Sequence, residues 1–226
     1  MNYRTGEVLA LQSYPSYDPM NLSQADKDNP LKPFWNRATM WSSAPGSVFK
    51  VVTLASALKN IPDAQTRMYE CLGALVVEDT TITDANDAVH GMLNLRKALA
   101  VSCNITFARV AMELGDATLQ KTSSDFGVGD YFLFSDLVVQ NSAYPSVNRS
   151  LKELAWTGPG QSKLQLTPMH MALIASAIAN DGVMMEPRLL LDVTNNAGIS
   201  RYQFYGKEYK RVMNKQDADI IADYMQ

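Results

Sequence analysis

The sequence predicts a mixed chain of helices and short strands, α/β of the α+β kind, and three observations predict it. Apolar residues recur at helical spacing after Ser47, through residues 94–114 and after Thr167. Short strand-like runs bounded by turn residues lie at 7–11, 72–77, 189–193 and 202–205. The 226 residues, 46% of them apolar, are enough to bury a sizeable core.

Thr5-Gly6 is a turn signal at the first strand, and residues 12–43 follow as a long irregular stretch with Pro15, Pro19, Pro30 and Pro33. Loops of that length are as a rule functional or mobile, and Tyr14, Tyr17, Phe34 and Trp35 predict that this one packs. Pro45-Gly46 supplies a rigid approach and a flexible joint into a helix through Val51, Val52, Leu54, Ala55 and Leu58, which ends near Asn60 ahead of Pro62. Residues 63–93 read as loop apart from the 72–77 strand. A helix over 94–101 turns Leu95, Ala98 and Leu99 inward. A second over 105–114 carries Phe107, Val110, Ala111 and Leu114 and stops at Gly115, and a third spans 116–125. Weak periodicity over 129–154 predicts surface turns with short helical pieces. Thr167 caps and Pro168 starts the clearest helix, through Met169, Leu173, Ile174, Ala177 and Ile178, and its alanines predict an interior position. Asn214 caps a last helix with Ile220, Ile221 and Tyr224 on its apolar side.

Composition narrows the function classes. Charged residues make up 19%, the net charge is −3 and the basic groups are scattered, which argues against a nucleic-acid footprint. There is no run of 18 apolar residues and no leader pattern, and both ends read as cut, so an exported or anchored parent protein is compatible with the sequence. Cys71 and Cys103 permit one disulfide or two buried thiols. His90 reads as a turn or packing histidine because no His, Cys or carboxylate stands near it at ligand spacing, and His170 as a core or interface residue. No metal set and no cofactor is predicted. The twelve methionines are mixed with other apolar residues and read as core filling.

The residues with chemistry are few. Ser47 and Lys50 stand three apart at a helix start, which sets a hydroxyl beside an amine. A serine needs a neighbour to take its proton, and a lysine can do so once burial lowers its pKa. A helix N-terminus also stabilises negative charge developing near the serine. The plain alternative is an ordinary helix start with a surface lysine. Ser102 and Asn104 sit between two apolar helices, where polar side chains need partners or a cleft. They read either as helix caps or as a second polar corner in the same cavity, with Ser102 relaying a proton and Asn104 accepting from the lysine.

Taken together these residues resemble penicillin-binding protein transpeptidase domains. Ala44-Pro45-Gly46-Ser47-Val48-Phe49-Lys50 is similar to the first motif, Ser-x-x-Lys, and Ser102-Cys103-Asn104 to the second, Ser-x-Asn. The opening Thr5-Gly6-Glu7-Val8-Leu9-Ala10-Leu11, Asn36-Arg37-Ala38, His90-Gly91, Gly160-Gln161, Leu166-Thr167-Pro168 and Ala179-Asn180-Asp181-Gly182 follow in family order. The resemblance implies a serine β-lactamase/transpeptidase-like fold, helices packed on an antiparallel sheet, with residues 63–155 as a mostly helical lobe. It implies peptidoglycan stem peptides ending in D-alanyl-D-alanine as substrate, β-lactam antibiotics as mimics, other cell-wall synthesis proteins as partners, and a parent anchored at the extracytoplasmic face of the membrane. Ser47 is then the nucleophile, Lys50 its base, Ser102 the proton shuttle and Asn104 the positioning amide.

The family's third motif, Lys-Ser/Thr-Gly, is absent. Trp156-Thr157-Gly158 has tryptophan where lysine belongs, and Tyr205-Gly206-Lys207 lacks the order. The expectation is therefore a fragment that ends before that motif and lacks most of the sheet strands. Its exposed helix faces would be covered by an oligomer contact or a second chain, and penicillin would acylate it slowly or not at all. Two other readings stay open. A serine β-lactamase needs a base for deacylation, for which Glu70, Glu78 and Glu113 are candidates, and a non-catalytic β-lactam sensor or wall-synthesis scaffold needs neither base nor third motif.

Overall fold

The computed structural model describes residues 1–145 and 149–226, and the stretch 129–154 read as turns therefore includes three residues, 146–148, outside the described ones. The first expected strand does not form. Among the described residues, 7–11 make one parallel bridge, Glu7 with Arg188. The long irregular stretch carries two short helices, α1 (Gln24–Asp28) and α2 (Arg37–Met40). Ser23 and Asp26 cap α1 reciprocally, and the Asn36 side chain caps α2. Tyr17 meets Phe34 edge to face at 4.6 Å, but Tyr14, Tyr17, Phe34 and Trp35 all stay exposed, so the expectation that these aromatics pack the loop onto the fold is not met.

The expected helix after Pro45 is two pieces, a 3-10 turn at Gly46–Phe49 running into α3 (Lys50–Asn60). Every residue of α3 from Lys50 to Ala57 is buried. Four strands follow: β1 (Tyr69–Cys71), β2 (Ala74–Val77), β3 (Thr80–Thr83) and β4 (Gly91–Leu93). β2 and β3 form a hairpin, and β1 pairs with β4 antiparallel, with Cys71 opposite Gly91. The three helices expected next are α4 (Leu95–Ala100), α5 (Asn104–Leu114) and α6 (Asp116–Asp125). A minimal hairpin of β5 (Phe132–Leu133) and β6 (Val138–Val139) leads toward α7 (Leu151–Thr157), capped by Ser150 and Glu153.

Thr167 and Pro168 start α8 (Pro168–Ala179) as expected, the threonine hydroxyl accepting the His170 N–H. Then come β7 (Val183–Met185), β8 (Asp192–Thr194), β9 (Ser200–Gln203), β10 (Glu208–Arg211) and α9 (Lys215–Tyr224). β7 pairs with β10 and β8 with β9, all antiparallel. Among the described residues no sheet exceeds two strands. The core lies around α3, which α5, α6 and α9 surround, with α8 behind α9.

The expected exposed helix faces are not where the apolar surface lies. α9 lies across α3, α4 and α8 with Ala218 and Ile221 fully buried. Large exposed apolar side chains lie mostly on loops and short strands, among them Met20 at 91%, Leu191 at 58% and Tyr202 at 69%. No helix among the described residues is long and apolar enough to cross a membrane. His170 is a core residue: fully buried, 2.6 Å from the Ser142 hydroxyl and 2.9 Å from the Phe126 carbonyl, with burial pushing its pKa down to about 4.

Candidate active site

The 3-10 turn sets the geometry of the first pair. Side chains three apart eclipse in such a turn, so Ser47 and Lys50 stack on one line. Ser47 stays exposed while Lys50 is fully buried beneath it, its ammonium 5.7 Å from the centre of the Phe107 ring. The Lys50 Nζ lies 3.3 Å from Ser47 Oγ, 2.9 Å from Ser102 Oγ, 2.8 Å from Asn104 Oδ1 and 2.5 Å from the Ser102 carbonyl. All four candidates from the sequence thus meet at one nitrogen. Burial pushes the Lys50 pKa down from 10.5 to about 8, with Asp84 and Cys103 acting in the opposite direction.

The second corner is built by the junction of α4 and α5. Ser102 sits in the left-handed region at φ 55°, where its N–H reaches back to the Leu99 carbonyl. That conformation costs on the order of 1 kcal/mol for a residue with a side chain and turns both Ser102 oxygens toward Lys50. Cys103 caps α5, its sulfur accepting the Thr106 N–H at 3.3 Å. Asn104 donates through Nδ2 to the Thr83 carbonyl at 3.0 Å, which fixes its amide with the oxygen toward the lysine. Its backbone N–H donates to Asp84, whose carboxylate burial raises but hydrogen bonds from Cys103, Asn104 and Cys71 hold below the ordinary range.

The glycine-rich run after α7 is a packing device. Gly158 touches α5 so closely that a Cβ would stand 2.1 Å from the Phe107 carbonyl oxygen, and its own carbonyl accepts the Thr53 hydroxyl at 2.8 Å. Gly160, at φ 85°, would place a Cβ 2.0 Å from the Gly46 oxygen, and its carbonyl accepts the Gly46 N–H at 2.8 Å. These contacts clamp the turn that presents Ser47. Thr157, the middle of the rejected Trp-Thr-Gly match, is fully buried and bonded to Arg149 and Glu153. Gly206 of the other match lies against Thr5.

The remaining candidates separate from this centre. Glu113 pairs with Arg67 and Tyr69, Glu78 accepts the Leu151 and Lys152 N–H groups at the start of α7, and Glu70 is exposed on β1. Cys71 and Cys103 are free thiols, both buried, and burial pushes the Cys103 thiol up to about 12, so it is no nucleophile near neutrality. His90 departs from its expected isolation. Cys71, Asp84 and Cys103 surround it in space, although none stands at ligand spacing in sequence, because the β1–β4 ladder and the cap of α5 bring them together.

Known proteins resemble this chain in sequence and in fold. Peptidoglycan D,D-transpeptidase PbpA of Mycolicibacterium smegmatis is 30% identical over 237 residues, covering 98% of this chain and 48% of that protein. Peptidoglycan D,D-transpeptidase MrdA of Escherichia coli K12 is 28% identical over 212 residues, covering 85% and 34%. Among solved structures, the imipenem acyl-enzyme complex of penicillin-binding protein A from M. tuberculosis has a TM-score of 0.91 at 27% identity, covering all of this chain and 55% of that one. The D,D-transpeptidase domain of a peptidoglycan glycosyltransferase from Eggerthella lenta has a TM-score of 0.90 at 30% identity, covering 99% and 58%. The chain spans about half the length of the curated relatives it matches. The family model of the penicillin binding protein transpeptidase domain matches residues 1–226, and the chain belongs to that family.

Proposed function

We propose that the protein to which this chain belongs is a D-alanyl-D-alanine transpeptidase of cell-wall synthesis, acting at the extracytoplasmic face of the membrane. The chain contributes the Ser-x-x-Lys and Ser-x-Asn parts of its transpeptidase domain. One observation carries the reading: a buried lysine nitrogen within hydrogen-bond reach of two hydroxyls, an amide oxygen and a main-chain carbonyl. A neutral amine has two hydrogens and one lone pair. The Ser102 carbonyl and Asn104 Oδ1 can only accept, so they take both hydrogens, and the lone pair is left for a hydroxyl proton.

In the proposed reaction Ser47 Oγ attacks the carbonyl carbon of the terminal D-Ala-D-Ala bond while its proton passes to Lys50. The Ser47 N–H, free of intrahelical partners at a helix start, stabilises the oxyanion. Collapse breaks the C–N bond, and the proton reaches the departing D-alanine amine through the Ser102 hydroxyl. An amine of a second stem peptide then attacks the acyl-enzyme, forms the cross-link and returns the Ser47 hydroxyl. A β-lactam would enter the same first step; penicillin-binding protein A from M. tuberculosis forms an acyl-enzyme complex with imipenem. The lactamase alternative gains nothing here, since Glu78 and Glu113 are engaged elsewhere.

The 226 residues hold no Lys-Ser/Thr-Gly strand to give a second oxyanion donor. Losing one such donor costs about 3 kcal/mol, a hundredfold or more in rate. Incubation with benzylpenicillin, followed by intact mass, tests the reading. A single adduct should accumulate slowly in the chain and be absent from Ser47→Ala. Equal labelling of the alanine variant, or an adduct on any residue other than Ser47, would overturn it.

A further inference from the structure

Two of the chain's three tryptophans stand at one surface cavity that the acyl-transfer reading does not use. Pro30, Leu31, Lys32, Trp35, Arg37 and Trp41 line it, and its volume is about 280 Å³. All six belong to the long stretch before the nucleophile, which hydrogen bonds of its own hold in place here. Ser13 donates its hydroxyl to the Trp35 carbonyl at 3.0 Å and accepts the Arg37 backbone N–H at 3.2 Å. The Arg37 guanidinium donates to the same Ser13 oxygen at 3.3 Å and to the Leu31 carbonyl.

The lining has a definite chemistry. Trp35 is 36% and Trp41 49% exposed, although indole rings gain more than most side chains from burial. Arg37 starts α2 and Trp41 caps its end, four residues on, so cation and ring share one side of the helix. The Lys32 nitrogen lies 5.1 Å from the centre of the Trp35 ring. Among the described residues neither Lys32 nor Arg37 has a carboxylate partner, and Arg37 uses only two of its five side-chain N–H groups on the loop. A ligand cation would meet two positive charges here, and a wholly apolar ligand would leave those donors unpaired. Flat apolar rings beside free N–H donors suit a molecule with a C–H face and an edge of acceptor oxygens, which describes a sugar ring.

Resting on the transpeptidase reading above, we infer that this cavity takes a hexosamine ring of the glycan strand that carries the stem peptide. Trp35 and Trp41 pack on the C–H face of the ring, and Lys32 and Arg37 donate to its hydroxyl and acetamido oxygens. Chain length sets the reach. Trp41 precedes Ser47 by six residues, so their Cα atoms are at most about 20–22 Å apart. A stem of four or five extended residues spans about 13–18 Å, which brings its terminal bond to the region of Ser47 while its sugar stays at the tryptophans. The path between the two places is fixed, because Ser43 pairs with Leu166 and Gly46 donates to the Gly160 carbonyl. Sugar binding so far from the reacting bond orients the polymer and leaves the chemistry at Ser47 unaltered.

The indole N–H resonances of the full chain test this, with the N-acetylglucosamine tetramer and stem-free glycan strands as probes. The Trp35 and Trp41 signals, assigned from Trp35→Phe and Trp41→Phe, should shift saturably, while that of Trp156, which lines a different cavity, should stay in place. Trp41→Ala should weaken binding about tenfold and Lys32→Met at least twofold. Should either variant fail to fold, the titration of the unaltered chain still decides. Ser47→Ala should bind the sugars as the unaltered chain does, so penicillin labelling of Ser47 reports on the transpeptidase reading separately. No saturable shift of either indole up to about 10 mM tetramer would overturn the inference. Tighter binding of a proline-rich peptide or of a polyphosphate than of the glycan would also overturn it, by giving the cavity to a protein or to an anionic polymer.

Discussion

The pH dependence of Ser47 acylation follows from the environment of one nitrogen. Lys50 is fully buried, and its pKa is pushed down to about 8. Only the neutral amine can take the Ser47 proton, so the rate should follow the neutral fraction, about 1% at pH 6, 9% at pH 7, 50% at pH 8 and 90% at pH 9. Acylation by benzylpenicillin, timed by intact mass, should rise about fiftyfold from pH 6 to 8 and less than about twofold above it. An exposed lysine would instead give a tenfold rise per unit to beyond about pH 9.5. A continued tenfold slope, or a flat profile, refutes the assignment of Lys50 as base. Stability should show the opposite face of the same shift. The unfolded chain keeps this proton to about 10.5 while the folded chain loses it near 8, so between those values the unfolded state binds more protons and the Lys50 contribution to stability rises with pH. Below about 8 the buried cation costs up to about 3 kcal/mol, and Lys50→Met should remove that cost together with at least a hundredfold of acylation.

Three further outcomes are expected. Ser102→Ala removes the second hydroxyl but leaves Lys50 held by Asn104, so acylation should fall about tenfold to a hundredfold with the pH midpoint changed little. Gly160→Ala forces a Cβ against the Gly46 oxygen in a left-handed conformation and should lower Tm by about 5–15 °C, read by calorimetry. Arg149→Met breaks a nearly buried pair with Asp116 and strands Tyr144 and Thr157. It should cost about 3 kcal/mol in urea titration, and Asp116→Asn in the same chain should recover part of it.

What could be read in the sequence was local. α3, α5, α8 and α9 carry apolar residues at helical spacing over two turns or more, and caps such as Thr167 and Asn214 fix starts. Ser47 and Lys50 were legible because a single turn joins them. The α7 start was available as well, since Ser150 and Glu153 form a capping box, but weak periodicity around it hid the signal. Strands fared worse because pairing is decided elsewhere in the chain: residues 7–11 find a single bridge at Arg188, and the run at 189–193 joins a ladder only from Asp192. The donor cluster at Cys71, Asp84, His90 and Cys103 was illegible for the same reason. Its members meet only after β1 has paired with β4 and α5 has been capped. The third motif differs from these, because no residues in the chain supply it.

The central claim is that the Ser47 oxygen, served by the Lys50 amine, is the atom that becomes acylated. Crystals of the chain soaked in a β-lactam test it most directly. Density for the opened ring should be continuous with Ser47 Oγ, with the Lys50 nitrogen still bridging Ser102 and Asn104. Ligand bonded to any other residue, or an acylated Ser47 with Lys50 turned away from both, would contradict it.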